Sequence, residues 1–164
     1  MRAILAVFLI IFPLIAFAES GKAYGVFEKV TIPELSGSVI KAKLDTGAVT
    51  TSLGADKIEL LKKNDSDWVR FTPQIEGASV MERPLVRHSN IKLRVSESEE
   101  STRSQRPVIM LNICFDGKLY PAEVNLADRG RFNYPLLVGR NTLIDFGAVI
   151  DPSLKYQAEA GCVK

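Results

Sequence analysis

The chain has 164 residues, with 21 Lys and Arg against 19 Asp and Glu, a formal net charge of +2. That near-balance supplies no cationic footprint for a nucleic acid, and the length suits one domain large enough to bury its own core. One His and two Cys show no zinc-ligand spacing. G-x-x-x-x-G-K-[ST] and G-x-G-x-x-G are both missing, so neither metal nor cofactor is expected.

Residues 1–18 read as a cleavable export signal. Arg2 is a short positive head, an apolar run interrupted by Pro13 continues to Phe17, and Ala16-Phe17-Ala18 fits cleavage after Ala18. A bilayer span needs about 20 apolar residues, so an uncleaved anchor is the weaker reading. Residues 19–164 are then the mature domain, periplasmic or secreted, with no membrane attachment after cleavage.

Residues 23–32 alternate apolar and polar and predict a strand, followed by a turn over 33–37. A second strand runs from Ser38 through Val39, Ile40, Ala42 and Leu44 and ends at Asp45. Residues 52–63 have helical spacing at Ile58, Leu60 and Leu61 and predict a short helix, or a strand entered through a turn. A turn over 64–67 leads to a strand at 68–71, and Ile91, Leu93 and Val95 alternate in another. The charged stretch 96–106 suggests an exposed loop or a hairpin tip.

Residues 107–115 are nearly all apolar and predict a core strand. Asp116-Gly117 is a strong two-residue hairpin signal that returns the chain into a strand over 119–126. A turn over 128–133, a short buried strand over 134–138, a short helix over 140–146 with Leu143 facing inward, and a closing strand over 148–151 complete the chain. Short strands joined by Gly-rich turns predict a mostly β fold, a small closed barrel or sandwich with one or two short helices. Cys114 and Cys162 are candidates for one disulfide in an exported protein. Two separate thiols, or an interchain bridge through Cys162, are the alternatives.

Asp45-Thr46-Gly47 ends an apolar strand with an acid and a Gly. Asp45 either starts a turn by bonding its own backbone or is a catalytic acid presented on a rigid loop. His88 has no partner for a Ser-His-Asp arrangement, there is no G-x-S-x-G elbow, and His88 reads as an ordinary surface or half-buried residue.

About ninety residues after Asp45 comes P-L-L-V-G-R-N-T-L, residues 135–143. An apolar strand ending in D-T-G-A, paired with a later apolar strand ending in G-R-N, resembles the retropepsin-like aspartic proteases. The chain is more similar still to the bacterial branch of that clan named ATP-dependent zinc proteases. Five ordered blocks carry the likeness, namely residues 43–48 (K-L-D-T-G-A), 68–71 (W-V-R-F), 106–109 (R-P-V-I), 125–129 (N-L-A-D-R) and 134–140 (Y-P-L-L-V-G-R).

The resemblance implies a small closed barrel of the acid-protease type and an aspartic endopeptidase acting on a peptide or protein substrate. One chain carries one D-T-G, so it implies a homodimer pairing Asp45 from each copy. Thr46 would bond across the two-fold axis, Gly47 would let the substrate backbone approach closely, and Ala48 would support the active-site loop. Leu137, Val138 and Gly139 would support the loop from beneath, with simple core packing as the plain reading of the same trio. Arg140 would lock the helix to the dimer contact, where a solvated charge is the alternative.

Two features depart from the viral pattern. The acid that follows D-T-G-A in viral members, and pairs there with the Arg of G-R-N, is replaced by Val49 and Thr50. No flap is evident, with Glu76-Gly77-Ala78 and the 96–103 stretch as candidate tips. A second acid from the same chain, Asp128 or Asp151, is a weaker substitute for the partner's Asp45, since neither has the Thr-Gly context. Two rivals remain. One is a non-catalytic periplasmic binding or scaffold module that keeps the fold. The other is a zinc hydrolase, as the branch's name suggests, which metal analysis of the purified protein would test.

Overall fold

The structure is a computed structural model and describes residues 21–92 and 103–162. Residues 1–20, which include the expected export signal, the 93–102 stretch and residues 163–164 lie outside the described residues. Eleven strands and one helix follow in order: β1 Ala23–Tyr24, β2 Phe27–Thr31, β3 Val39–Asp45, β4 Thr51–Lys63, β5 Ser66–Pro73, β6 Met81–Pro84, β7 Arg87–Lys92, β8 Arg103–Phe115, β9 Lys118–Ala127, β10 Leu136–Gly139, α1 Arg140–Asp145 and β11 Val149–Ile150.

Six of these strands close a ring. The order β10-β3-β2-β8-β9-β4 returns to β10 because β10 pairs with β3 on one side and β4 on the other. The chain is therefore the small closed β-barrel that the sequence predicts. Closure removes the open edges of these six strands, edges that would otherwise invite association through unpaired backbone groups, while β6 and β7 pair on one side only among the described residues. Val30, Ile32, Leu53, Phe71, Ile109, Leu111, Ile113, Phe115, Leu126 and Leu136 fill the core, all buried. Each such side chain contributes about 1.5–3 kcal/mol of transfer free energy.

Several elements follow local chemistry. Asn64 and Asp65 turn β4 into β5, and Asp116 and Gly117 turn β8 into β9, in both cases with two successive residues at positive φ. That backbone matches the right-handed twist of the strands it joins. Leu143 faces inward from α1, as its spacing predicts.

Residues 51–63 are strand throughout, without the helical turn that their spacing allows. The first five residues of β4 are buried. The pairing with β5 slips between Asp56 and Glu59, where Lys57 has φ 49°. A bulge there rotates the later side chains onto new faces, which imitates a helical period. The single predicted strand over 23–32 is two. Gly25 interrupts it where the backbone of Leu154 crosses too closely for any side chain.

The C-terminal segment is fastened to the barrel. β1 and β11 form a parallel ribbon. Buried Glu28 accepts N–H bonds from Gly25, Gln157 and Ala158. Cys114 and Cys162 are joined in an intrachain disulfide across 48 residues of sequence.

Candidate active site

The Asp45 loop is assembled by three strands. β3 runs parallel to β10 with Asp45 opposite Gly139 and Leu44 opposite Val138. Apolar side chains on β3 and β10 fix this register, because a one-residue slip would turn them out to water. Val138 and Gly139 are buried and Leu137 is half-buried, so the trio next to the loop is packed as core. A Cβ at Gly139 would stand 2.6 Å from the carbonyl carbon of Thr50. Glycine alone allows β10 to approach the loop this closely.

Hydrogen bonds then fix the loop. One oxygen of the Asp45 carboxylate, Oδ1, accepts from the Gly47 N–H at 3.0 Å. The other, Oδ2, lies 3.4 Å from Lys43 Nζ. The N–H groups of Arg140 and Asn141, at the start of α1, donate to the carbonyls of Ala48 and Val49. Buried Thr51 meets Thr142 through its hydroxyl at 2.7 Å and accepts the Gly139 N–H at 3.1 Å. Thr46, Gly47 and Val49 remain exposed. The Arg140 side chain is exposed, and among the described residues it has no carboxylate partner.

Beside the loop lies a cleft of about 800 Å³. Gly47, Ala48, Val49 and Thr50 form one wall, and the base of the β7–β8 hairpin forms the opposite one through Arg87, His88, Ser89, Asn90 and Arg106. Ser52, Asn125, Arg129 and Leu137 also line it. Asp45 itself borders this space without lining it. Of the two flap candidates, the turn containing Gly77 and Ala78 lines a different depression, with Glu34, Leu35 and Ser36. The other candidate, the 96–103 stretch, lies outside the described residues except for Arg103; the strands β7 and β8 that flank it line the cleft.

The cleft is rich in cations. Arg87 is paired with Glu123 at 2.6 Å. Arg129 is 7% exposed. Its Nε donates to the carbonyl of Tyr134 at 3.1 Å, and its guanidinium lies over the Phe132 ring. Burial pushes the Arg129 pKa below the ordinary arginine range, the Arg106 charge adds to this, and the Asp45 charge opposes it. Burial alone lowers that of Arg106. An arginine guanidinium is not deprotonated in proteins, so both remain cationic. Among the described residues no group of three or more His, Cys, Asp and Glu side chains is arranged to hold a metal ion.

A family model described as retropepsin-like aspartic endopeptidase RimB matches residues 23–160. The chain belongs to the RimB-like family of retropepsin-like aspartic endopeptidases. A solved relative, the Legionella pneumophila protein Lpg0085 of unknown function (DUF785), is 35% identical with a TM-score of 0.69. That match covers 85% of this chain and all of the relative. Among curated proteins, a probable alpha-L-glutamate ligase of Desulfotalea psychrophila is 29% identical over 136 residues, 82% of this chain. One of Shewanella pealeana is 31% identical over 131 residues, 77% of this chain. The chain spans less than a third of the length of either ligase, 29% and 27%.

Within this RimB-like barrel, Asp45 through Ala48 and Leu137 through Arg140 come together around one loop. Asp128 and Asp151 do not supply a second acid there. Asp128 accepts bonds from Gln74 and Gly130, and Asp151 from Ser153. The residues that sequence reasoning left without a role are Ser52, Arg87, Arg106, Asn125 and Arg129, and His88 received only a surface one. A signal was present for three of them: Arg106 heads R-P-V-I, while Asn125 and Arg129 open and close N-L-A-D-R.

Proposed function

We propose that the protein is an exported aspartic endopeptidase, active as a homodimer with one Asp45 from each copy. The observation that carries this reading is the setting of Asp45. It ends a half-buried strand, its Oδ1 is held by the Gly47 N–H, and its loop is exposed beside a peptide-sized cleft. Two carboxylates brought to about 3 Å cannot both ionise, so the pair shares one proton. The ionised member takes a proton from a water between them, the protonated member donates to the substrate carbonyl, and the water adds to the amide carbon. No covalent intermediate forms. The titration belongs to the pair. Thr46 and Val49 are available for the contact between copies.

The leader over residues 1–18 supports export, and so does the Cys114–Cys162 disulfide, since such bonds persist in oxidising compartments. Arg106 and Arg129 in the cleft suit an acidic substrate. Relatives named glutamate ligases join a matching segment to a longer chain. Together these favour glutamate-containing peptides as substrates. Wild-type protein at mildly acidic pH is expected to cleave such a peptide, and Asp45→Asn to lose at least about 99% of the rate. Equal rates for both would remove the peptidase reading. One feature favours a binding module instead: Lys43 sits beside the carboxylate where an active pair would need a partner's acid. A strict monomer that binds pepstatin at no concentration would support that alternative.

A further inference from the structure

A second depression, of about 420 Å³, lies between the β2–β3 turn and the segment that leads into β6, and it shares no lining residue with the cleft. Glu34, Leu35, Ser79, Val80, Met81 and Arg83 are among its walls. Its volume is at the small end of ligand pockets, which run to about 300–1,000 Å³. Glu34 commits one carboxylate oxygen to β8: Oε1 accepts from the Asn112 N–H at 3.1 Å and from Asn112 Nδ2 at 2.8 Å. The other oxygen, Oε2, is buried and has no hydrogen-bond partner. Buried acceptors are ordinarily matched, so an orphan one marks a place where a donor is missing. Arg83 is half-buried, and its Nη1 donates to the carbonyl of Glu82 at 3.3 Å. Among the described residues it has no carboxylate partner, and the adjacent acid, Glu82, is paired with Lys63 and Arg70. One anion and one cation therefore stay unmatched in this depression, beside the apolar side chain of Val80, which is 60% exposed.

We infer that this depression is a binding site for a small zwitterion, an amino acid or a short peptide with free ends. The ligand's ammonium group donates to Glu34 Oε2, and its carboxylate accepts from Arg83. An apolar ligand side chain lies against Val80 and Met81. Two unmatched charges of opposite sign favour a ligand that carries both, because a simple anion or cation would leave one of them unpaired. A planar guanidinium fork matches a carboxylate, and hydrogen bonds between charged groups are stronger than neutral ones. Free amino acids and dipeptides share this chemistry and differ in the spacing of their charges. The site is complete within one chain and does not rest on the peptidase reading.

The test titrates L-leucine and L-leucyl-L-leucine into full-length disulfide-bonded protein by calorimetry. The dipeptide is titrated into Asp45→Asn as well, so that cleavage cannot imitate binding of leucine. At least one of the two is expected to bind with a Kd at or below about 1 mM, and the tighter one tells free amino acid from dipeptide. The N-acetylated form of that ligand lacks the ammonium, and the C-amidated form lacks the carboxylate. Each should bind at least about tenfold more weakly. Glu34→Gln should cancel the first penalty and Arg83→Gln the second, as expected of directly paired groups. Ligand-induced amide shifts should fall on residues 34–36 and 77–83. Glu34→Gln retains an oxygen to accept from Asn112. If its circular dichroism changes nonetheless, Arg83→Gln decides the outcome together with Ser79→Trp, which fills the depression and should abolish binding. Equal affinity for free and blocked ligands, wild-type affinity in the charge variants, shifts confined to the Asp45 loop and the cleft, or no binding of either ligand up to about 10 mM would overturn the site. Failure of every form to cleave peptides would end the peptidase reading and leave this site standing.

Discussion

At the level of single residues, close approach and shared bonds decide what each position tolerates. Gly139 meets backbone at 2.6 Å from where a Cβ would stand. Gly139→Ala must therefore push β10 off the Asp45 loop. A loss of about 1–3 kcal/mol is expected from overpacking of this kind, read by urea denaturation, together with a fall in activity. Gln74 acts one step from the cleft. Its Oε1 accepts the Arg129 N–H at 2.8 Å, and its Nε2 donates to Asp56 and Asp128 at 2.7 and 2.8 Å. That bond from Gln74, then one from the Gly130 N–H, holds the Asp128 carboxyl below its usual range. Gln74→Ala frees the loop that presents Arg129. The expected outcome is a raised KM on an acidic peptide with kcat much less affected, and an Asp128 pKa that moves up toward the ordinary value by NMR titration. An unchanged KM would show that Gln74 does not position Arg129.

At the level of elements, the C-terminal strap is held by one covalent bond and by one buried carboxylate, Glu28. The disulfide closes a loop of 48 residues, for which loop entropy suggests about 4 kcal/mol and measured cases about 2–4. The Cys114→Ala, Cys162→Ala double variant should lose stability on that scale, with faster amide exchange over residues 154–162. Asp116 anchors the same region by accepting from Lys22, from the Glu159 N–H and from Tyr24. Burial pushes its carboxyl up, but these three bonds outweigh that, and the net pKa lies below the usual value. A depressed folded pKa stabilises fully above the unfolded value of about 4 and is lost as pH falls through the lower folded value. Wild-type stability should therefore drop on acidification below about pH 4, and Asp116→Asn should show a shallower drop. Mildly acidic assay conditions stay above this window.

Legibility in the sequence differed between elements for physical reasons. The hairpin at Asp116-Gly117 was readable because its signal is local: two residues that accept positive φ between two apolar runs. Residues 52–63 stayed open between a short helix and a strand, because a bulge at Lys57 scrambles the two-residue alternation that marks a strand. The cleft-facing arginines were visible as letters in family blocks, yet nothing local distinguishes a cleft-facing Arg from a solvated one.

At the level of the whole molecule, the barrel closes on itself within one chain, while the proposed catalytic pair requires two. The exposed apolar side chains Val49, 50% exposed, and Ile144, 69% exposed, lie on the Asp45 loop and the helix docked to it. Their burial between copies would add to the drive for association. Specific activity is then expected to rise with protein concentration and to level off as the dimer saturates. Val49→Asp should shift that midpoint up by at least about tenfold, as measured by sedimentation alongside the assay. Activity strictly proportional to protein concentration, with a monomer throughout, would contradict the paired-acid mechanism.

The residues alone were enough for the mostly β class, the Asp45 loop as the place of interest and the family, because these rest on alternation, turn chemistry and ordered motifs that are local in the chain. Tertiary structure was needed to close the ring through β10, to bring β7 and β8 to the cleft and leave the Gly77 turn at a different depression, and to bring Ser52, Arg106, Asn125 and Arg129 together. Those facts depend on contacts between segments tens of residues apart, and neither periodicity nor composition records which distant strand a given side chain will face.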